Sequence, residues 1–474
     1  MTSWPIIIDG VEVGAASGGV YERRHPATGE LVGVFPDGGA EDARRAVQAA
    51  RRAFDDGRWR DTTGAERAGV LHRLADRLRD RGDAYRTWES RQVGIPAGQI
   101  GWLASYCADV VDFFAGAART HAGRSLWTSP STLGFTVPEP VGVVVAITPW
   151  NFPLVLTIWK VAAALAAGCT LVVKPASQTP ITVIELARDL LDCGLPPGVC
   201  NVVTGSGAVV GEALVTDPDV DKVAFTGSTA TGARVMAAAA RSITRVSLEL
   251  GGKSPLIVLP DASPTVAVDA ALECFVNAGQ QCNVPSRLIL VGDGHDVLDA
   301  LVGRVGRLRV GADDDADVGP LVDEGHHGRV VGLLREAIDE GARVLVGGPK
   351  PAPFVAPTVL DGVDEDRRIV REEVFGPVLV VQRAKDLDHA IELANAGDYG
   401  LAAGIATGDL DAALVAARRL RAGTVWINTW NRTYPELPTG GFGASGLGRE
   451  LGLEGLDAYL EPKTVQVEPA RRAS

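Results

Sequence analysis

Cys282 closes the stretch Asn277-Ala278-Gly279-Gln280-Gln281-Cys282, and Glu249 lies upstream in Leu248-Glu249-Leu250-Gly251-Gly252. A thiol among small and amide residues can act as a nucleophile once local groups favour its thiolate. A carboxylate between a β-rich run and two glycines can sit at a strand end and take a proton from the thiol or from water. A cysteine on its own more commonly packs as a small hydrophobe. Here it is accompanied by four further stretches.

Ile147-Thr148-Pro149-Trp150-Asn151-Phe152-Pro153 follows an apolar run and ends in a Pro-bracketed turn. The Asn151 amide can donate to a developing oxyanion, or simply cap the next helix. Lys174-Pro175-Ala176-Ser177 follows a strand end, the place where α/β folds bind ligands. Lys174 can meet ribose hydroxyls or a phosphate, or lie on the surface. Phe225-Thr226-Gly227-Ser228-Thr229-Ala230-Thr231-Gly232 reads as a strand-to-helix turn whose N–H groups can hold a pyrophosphate. It is not a G-x-G-x-x-G pattern, so alone it is weak. Glu372-Glu373-Val374-Phe375-Gly376-Pro377 precedes the strand-like Val378 to Val381.

The elements that must position these residues are legible in the centre of the chain. Val141 to Ile147 is continuously apolar, as in a strand buried on both faces. Leu156 to Ala167 reads as a helix stopped by Gly168. Strands at 170–173, 200–203, 222–225 and 246–250 alternate with helices at 181–193, 209–215 and 230–240. That alternation predicts a parallel sheet with right-handed crossovers. The pattern restarts after Gly252, with a strand at 256–259, a helix from Pro264 to Asn277 and a strand at 286–291. Amphipathic helices are expected at 42–54 and 66–81, and Thr120 to Thr136 reads as extended. Lys463-Thr464-Val465-Gln466-Val467 alternates like a strand that pairs outside its own domain.

The 474 residues are 46% hydrophobic and 22% charged, which suits two or three globular domains. A net charge of −13 argues against non-specific nucleic-acid binding and against an anionic membrane surface. The six cysteines, at 107, 169, 193, 200, 274 and 282, have no C-x-x-C spacing, so no metal site is expected. The amino-terminal residues lack a signal-peptide pattern, and Leu154 to Gly168, interrupted by Lys160, is too short to span a bilayer. A cytoplasmic location with reduced thiols is the expectation.

Taken in order, these stretches, with Tyr399-Gly400-Leu401-Ala402-Ala403, Gly440-Gly441, Ser445-Gly446-Leu447-Gly448-Arg449-Glu450 and Lys463-Thr464-Val465, resemble the NAD(P)-dependent aldehyde dehydrogenase superfamily over nearly the whole length. The intact Glu249 resembles the hydrolytic branch rather than the CoA-acylating one, whose members usually lack a glutamate there. Retention of Cys282, Glu249 and Asn151 together argues against a silent binding protein on the same fold.

The resemblance implies an α/β fold with a Rossmann-type cofactor domain (1–120 and 141–251), a second α/β catalytic domain (252–444) and a small β oligomerisation extension (121–140 and 445–474). It implies Cys282 as nucleophile, Glu249 as base for water, Asn151 with the Cys282 N–H as oxyanion donors, and Glu450 as a proton-relaying carboxylate. NAD or NADP would meet Thr148, Trp150, Lys174, Ser177, Gly207, Gly227, Ser228, Leu250, Glu373 and Phe375. Phe152, Val155, Leu156 and Trp159 would line a substrate funnel, with Gln281 and Asn283 beside the thiol, Arg432 at the mouth and Thr439 in place of a frequent aromatic. Trp159 stands where succinate-semialdehyde relatives tend to carry an arginine, so an uncharged, apolar or aromatic aldehyde is expected. Ser177 stands where a glutamate often binds the adenosine ribose, which makes NADP plausible; Gly443 replaces a frequent lysine. A homodimer or homotetramer is implied.

Overall fold

The computed structural model describes residues 3–468. Its first sheet is built on five parallel strands in the order Cys200–Val202, Thr170–Lys174, Val143–Ile147, Lys222–Thr226 and Arg245–Glu249. Their central residues are buried, as the uninterrupted apolar runs require. The antiparallel strands Ile6–Ile8 and Val11–Val13 extend one edge, and Gly446–Leu447 pairs antiparallel at the other, beside Glu249. The chain moves outward from Val143–Ile147 through two strands, then returns across it to Lys222–Thr226. This reversal opens a crevice at the carboxyl ends of those two neighbours, where Thr148 and Gly227 begin their loops.

The helix Pro153–Ala167 starts with proline in its first turn and stops at Gly168, whose φ of 95° is left-handed. The expected helices at 181–193 and 230–240 form as Ile181–Asp192 and Thr229–Ala239. The expected helix at 209–215 is instead a wider π-type turn, Gly207–Gly211, followed by one α-turn, Glu212–Val215. The amino-terminal helices form as Ala40–Asp55 and Gly64–Asp80. Two more, Gly82–Val93 and Leu103–Thr120, pack beside them.

The second sheet has the order Arg343–Gly348, Ala356–Asp361, Val378–Ala384, Arg287–Val291, Pro255–Val258, Ala402–Ala406 and Thr424–Ile427. Its strands are parallel except Arg343–Gly348. The helix expected from Pro264 to Asn277 ends at Leu272. Val276 turns extended, and Asn277, Ala278 and Gly279 all take left-handed φ of 50°, 53° and 68°. This break turns the chain toward Cys282.

The segment at 120–136 is the end of a helix, then the strands Ser125–Ser129 and Thr132–Pro140. Leu460–Val467 pairs antiparallel with Thr132–Pro140 along its whole length, in a sheet separate from the other two. Residues 469–474 of the expected oligomerisation extension lie outside the described residues. No helix among the described residues is long and apolar enough to cross a membrane.

Candidate active site

Left-handed backbone costs a non-glycine residue about 1–2 kcal/mol, so the turn at 277–279 must be held by its surroundings. Buried Asn277 donates to the Asn151 carbonyl at 3.0 Å, and its N–H donates to Gln99 Oε1 at 3.1 Å. Buried Gln280 donates to the Asn277 and Pro320 carbonyls at 3.0 and 3.3 Å, and accepts from the Val322 N–H at 2.9 Å. Gly279 permits the closest approach, since a Cβ there would stand 2.2 Å from the Gly376 carbonyl oxygen. Strain stored in this way is common where a functional group must be aimed.

Asn151 is 3% exposed, and its Nδ2 donates to the Gln280 carbonyl at 3.0 Å. That bond fixes the amide beside the thiol loop and uses one of its two hydrogens. Cys282 is half-buried, whereas the other five cysteines are buried. Burial, then the Glu373 and Glu249 carboxylates, push its thiol up to about 12, while the Cys282 and Asn283 N–H groups pull it down. Cys282 and Glu249 are therefore electrostatic neighbours, and ionising either makes ionising the other harder.

Glu249 ends its strand, and its backbone carbonyl accepts from the Gly227 N–H at 3.0 Å. Gly440, whose φ of 148° favours glycine, lies against the carboxylate: a Cβ there would stand 2.7 Å from Glu249 Oε1. Burial, then the charge of Glu450, raise the Glu249 carboxyl well above the usual range; Lys160 and Arg449 oppose the rise. Glu450 is buried and forms an ion pair with Lys160, which also donates to Thr226 Oγ1 at 2.6 Å. Its second carboxylate oxygen has no hydrogen-bond partner among the described residues. Sequence reasoning took Lys160 only as an interruption of an apolar stretch. The signal was there: a lysine within an Ala- and Leu-rich helix must be paired when buried.

The crevice at the sheet reversal gathers most of the expected cofactor residues. Thr148 is buried, and its hydroxyl has no partner among the described residues. Lys174 is buried, not a surface lysine, and burial lowers its ammonium to about 8. Among the described residues its Nζ bonds only to the adjacent Pro175 carbonyl, at 3.0 Å. Ser177 donates to the Gly205 carbonyl at 2.9 Å. A Cβ on Gly207 would meet open space. Ser228 caps the helix Thr229–Ala239 by accepting from the Thr231 N–H. Leu250 is buried, its N–H bonded to the Ser445 carbonyl at 2.9 Å.

Glu373 accepts from the Gly252 N–H at 3.1 Å, and burial pushes its carboxyl to about 7. A Cβ on Gly251 would come 2.3 Å from its Oε2. Phe375, with a left-handed φ of 56°, packs edge-on against Trp150 at 5.3 Å. His326 completes this cluster, 5.3 Å from Trp150 and bonded to the Phe375 carbonyl at 2.7 Å. No motif marked His326. Together, an orphaned buried hydroxyl, a buried lysine with a single local partner among the described residues, and the open space in front of Gly207 fit an extended, polar, ribose-bearing dinucleotide.

The residues expected around the substrate fall into two groups. Phe152, Val155 and Leu156 are buried, and Phe152 lies 6.2 Å from Trp102. Trp159 is half-buried on the same helix. In the second group, Gln281 Nε2 donates to Asn283 Oδ1 at 2.6 Å. Arg432 is exposed, and Thr439 pairs through its backbone with Glu450.

The aldehyde dehydrogenase family profile matches residues 13–465. The chain belongs to the aldehyde dehydrogenase family. It is 42% identical to the DhaS protein of Bacillus subtilis over 98% of this chain and 95% of that one. It is 39% identical to a Bacillus subtilis betaine aldehyde dehydrogenase over 98% of this chain and 97% of that one. A crystal structure of an NAD-dependent aldehyde dehydrogenase from Sinorhizobium meliloti superposes with a TM-score of 0.98 at 41% identity, covering 100% of this chain and 96% of that one. A Staphylococcus aureus betaine aldehyde dehydrogenase in complex with NAD+ gives 0.97 at 36% identity, covering 100% and 96%. This chain is thus an oxidoreductase that converts an aldehyde to its acid with reduction of a nicotinamide cofactor.

Proposed function

We propose that Cys282 attacks the aldehyde carbon to form a thiohemiacetal, and that Glu249 activates the water that hydrolyses the resulting thioester. The observation that carries this reading is the convergence of Cys282, Glu249 and the anchored Asn151 amide on one crevice. The free hydrogen of the Asn151 amide and the Cys282 N–H hold the oxyanion in this reading. Lys160, Thr226 and Glu450 form the buried polar group through which the Glu249 proton leaves. Thr148, Trp150, Lys174, Ser177, Gly207, Gly227, Ser228, Leu250, Glu373 and Phe375 hold NAD(P), which in its oxidised form supplies the hydride acceptor and a positive charge. The first sheet carries that cofactor, the second carries the nucleophile, and the three-stranded sheet joins copies into a homodimer or homotetramer. The cytoplasm is the proposed location.

Both NAD and NADP are proposed as cofactors. The Ser177 hydroxyl is turned to the Gly205 carbonyl and brings no charge to the adenosine side. Ser177→Glu is expected to lower the ratio of kcat/KM for NADP over NAD about tenfold, because a carboxylate repels a 2′-phosphate. An unchanged ratio places Ser177 outside the adenosine site.

The proposed substrate is uncharged and apolar or aromatic. Phe152, Val155, Leu156 and Trp159 offer a largely apolar wall, continued by Trp102 and Tyr106. An aromatic wall also attracts cations, and two relatives act on betaine aldehyde by name. The test is kcat/KM for a medium-chain or aromatic aldehyde, succinate semialdehyde and a trimethylammonium aldehyde. The uncharged aldehyde is expected to lead by about tenfold; preference for either charged one overturns the assignment.

A further inference from the structure

The thiol loop is held from beyond its own sheet. Gln280, whose carbonyl accepts from the Asn151 amide at 3.0 Å, takes the Val322 N–H on its Oε1 at 2.9 Å and donates from Nε2 to the Pro320 carbonyl at 3.3 Å. Leu321 and Val322 are buried although they belong to no helix or strand. A buried loop must find a partner for each backbone polar group. The Val322 N–H has Gln280. The Val322 carbonyl accepts from Arg23 Nη2 at 2.7 Å, and the same nitrogen donates to the Gln92 carbonyl at 3.2 Å. Two carbonyls thus share the two hydrogens of one guanidinium nitrogen. Arg23 and Val322 are 299 residues apart in the chain.

The Gln92 end of this bridge is rigid. Gln92 lies in the last turn of the helix Gly82–Val93, where carbonyls lack a partner within the helix and the dipole favours a cation. Its buried side chain accepts from the Ile181 N–H at 2.9 Å and donates to Thr182 Oγ1 at 2.8 Å, which fixes the helix end against the helices of the first sheet. Gly94, with a φ of 89°, allows the loop to come close: a Cβ there would stand 2.8 Å from Pro320 Cγ, and one on Gly319 would stand 2.8 Å from the Gly94 carbonyl oxygen. Gln99 donates to the Ala316 and Asp317 carbonyls at 3.2 and 2.8 Å. Beyond Val322, Asp323 caps the helix Glu324–Asp339 by accepting from the His326 N–H at 2.8 Å. Residues 316–323 therefore form a strap. It runs from the end of Gly82–Val93 to the ring cluster of Trp150, His326 and Phe375, and the thiol loop hangs from its middle.

We propose that Arg23 is a positioning residue for aldehyde oxidation: it clamps the Val322 carbonyl to the end of Gly82–Val93, and so fixes the strap that holds Gln280 and, through the Gln280 carbonyl, the Asn151 amide. Its side-chain bonds go to the Gln92 and Val322 carbonyls, and it acts through Val322. The inference rests on Asn151 holding the oxyanion formed at Cys282. Bonds from a guanidinium are charge-assisted and roughly twice as strong as neutral ones. Without Arg23 the buried Val322 carbonyl has to move toward water to recover a partner. The Val322 N–H and Gln280 move with it, and the Asn151 amide follows. A displacement of about 1 Å at a group that aligns the reacting atoms is enough to slow the chemical step.

Arg23→Ala in the full chain removes the clamp and leaves room for a free guanidinium ion. The readout is the rate of NAD reduction in the first turnover, with hexanal as the probe aldehyde, beside NAD affinity by fluorescence titration and folding by thermal melting. The first-turnover rate is expected to fall about tenfold. NAD affinity is expected to hold, because the helix cap at Asp323 keeps His326 in place. Guanidinium chloride, far below the concentrations that unfold proteins, is expected to restore most of the rate, and uncharged urea is not. A merely structural role predicts the reverse, since either denaturant slows a loosened fold further. Arg23→Ala that reduces NAD at the parental rate, or that guanidinium fails to speed, overturns the clamp. If Arg23→Ala does not fold, Arg23→Lys decides: its shorter side chain reaches the two carbonyls less well, so the rate is expected to fall about threefold, and a parental rate overturns the clamp. Asn151→Ala, assayed in parallel, separates the two failures. A parental first turnover there overturns the oxyanion role of Asn151 and the proposal with it, whereas a slow Asn151→Ala beside an unshifted Arg23→Ala overturns only the clamp.

Discussion

Cys282→Ala is expected to lower aldehyde oxidation by about a thousandfold or more, because no other group can form the covalent intermediate. In barrier terms this is about 4 kcal/mol. The other five cysteines cannot substitute. Cys107, Cys169, Cys193, Cys200 and Cys274 are all buried, and burial is the largest influence raising each thiol. Alanine is small enough to leave the loop at 277–279 in place, since the bonds that hold it come from Asn277, Gln280 and Asn151 rather than from the sulfur. Cofactor affinity is therefore expected to change little. Fluorescence titration with NAD and NADP, beside steady-state oxidation, checks both halves. Substantial turnover removes Cys282 as nucleophile; lost cofactor binding shows that the side chain supports the crevice instead.

Much of this arrangement was legible in the sequence because chemistry and secondary structure coincide there. Thr148, Lys174, Gly227 and Glu249 each stand at or just past the end of a buried apolar run, and a parallel sheet brings such ends together. What stayed hidden depends on tertiary partners. Lys160 meets Glu450 across 290 residues of chain, and neither stretch advertises the other. His326 joins Trp150 and Phe375 through ring packing, which leaves no spacing to read. The apolar Cys274, Phe275, Val276 and Ala278 continue a helical pattern past Leu272, yet the backbone breaks there because buried Asn277 and Gln280 side chains take over its hydrogen bonding. Gln281 and Asn283, expected beside the thiol by resemblance, bond to each other and on to Asn431, a partner 148 residues from Asn283. In each case a polar side chain found a distant partner that local periodicity cannot specify.

Glu249→Gln is expected to separate the two halves of the reaction. The amide matches the carboxyl in size, so the Gly440 contact and the strand end are preserved. Glutamine cannot take a proton from water, and loss of a general base typically costs about a hundredfold to ten-thousandfold. Acylation and the first reduction of cofactor continue, so a rapid burst of reduced cofactor should precede a slow steady state. Thiol reactivity moves the other way, because removing the Glu249 charge removes one of the two carboxylates that oppose ionisation of Cys282. The pH dependence supplies a second signature. Burial and Glu450 raise the Glu249 carboxyl well above its usual range, so its base form accumulates only as pH rises. Hydrolysis of the thioester by the parent enzyme should therefore speed up with pH. The variant has no group titrating at that position, and its slow hydrolysis should lose that limb. Stopped-flow recording of reduced cofactor across pH measures burst and steady state together. A variant with no burst, or one that keeps the parental limb, would mean that another group activates the water and that Glu249 serves the fold.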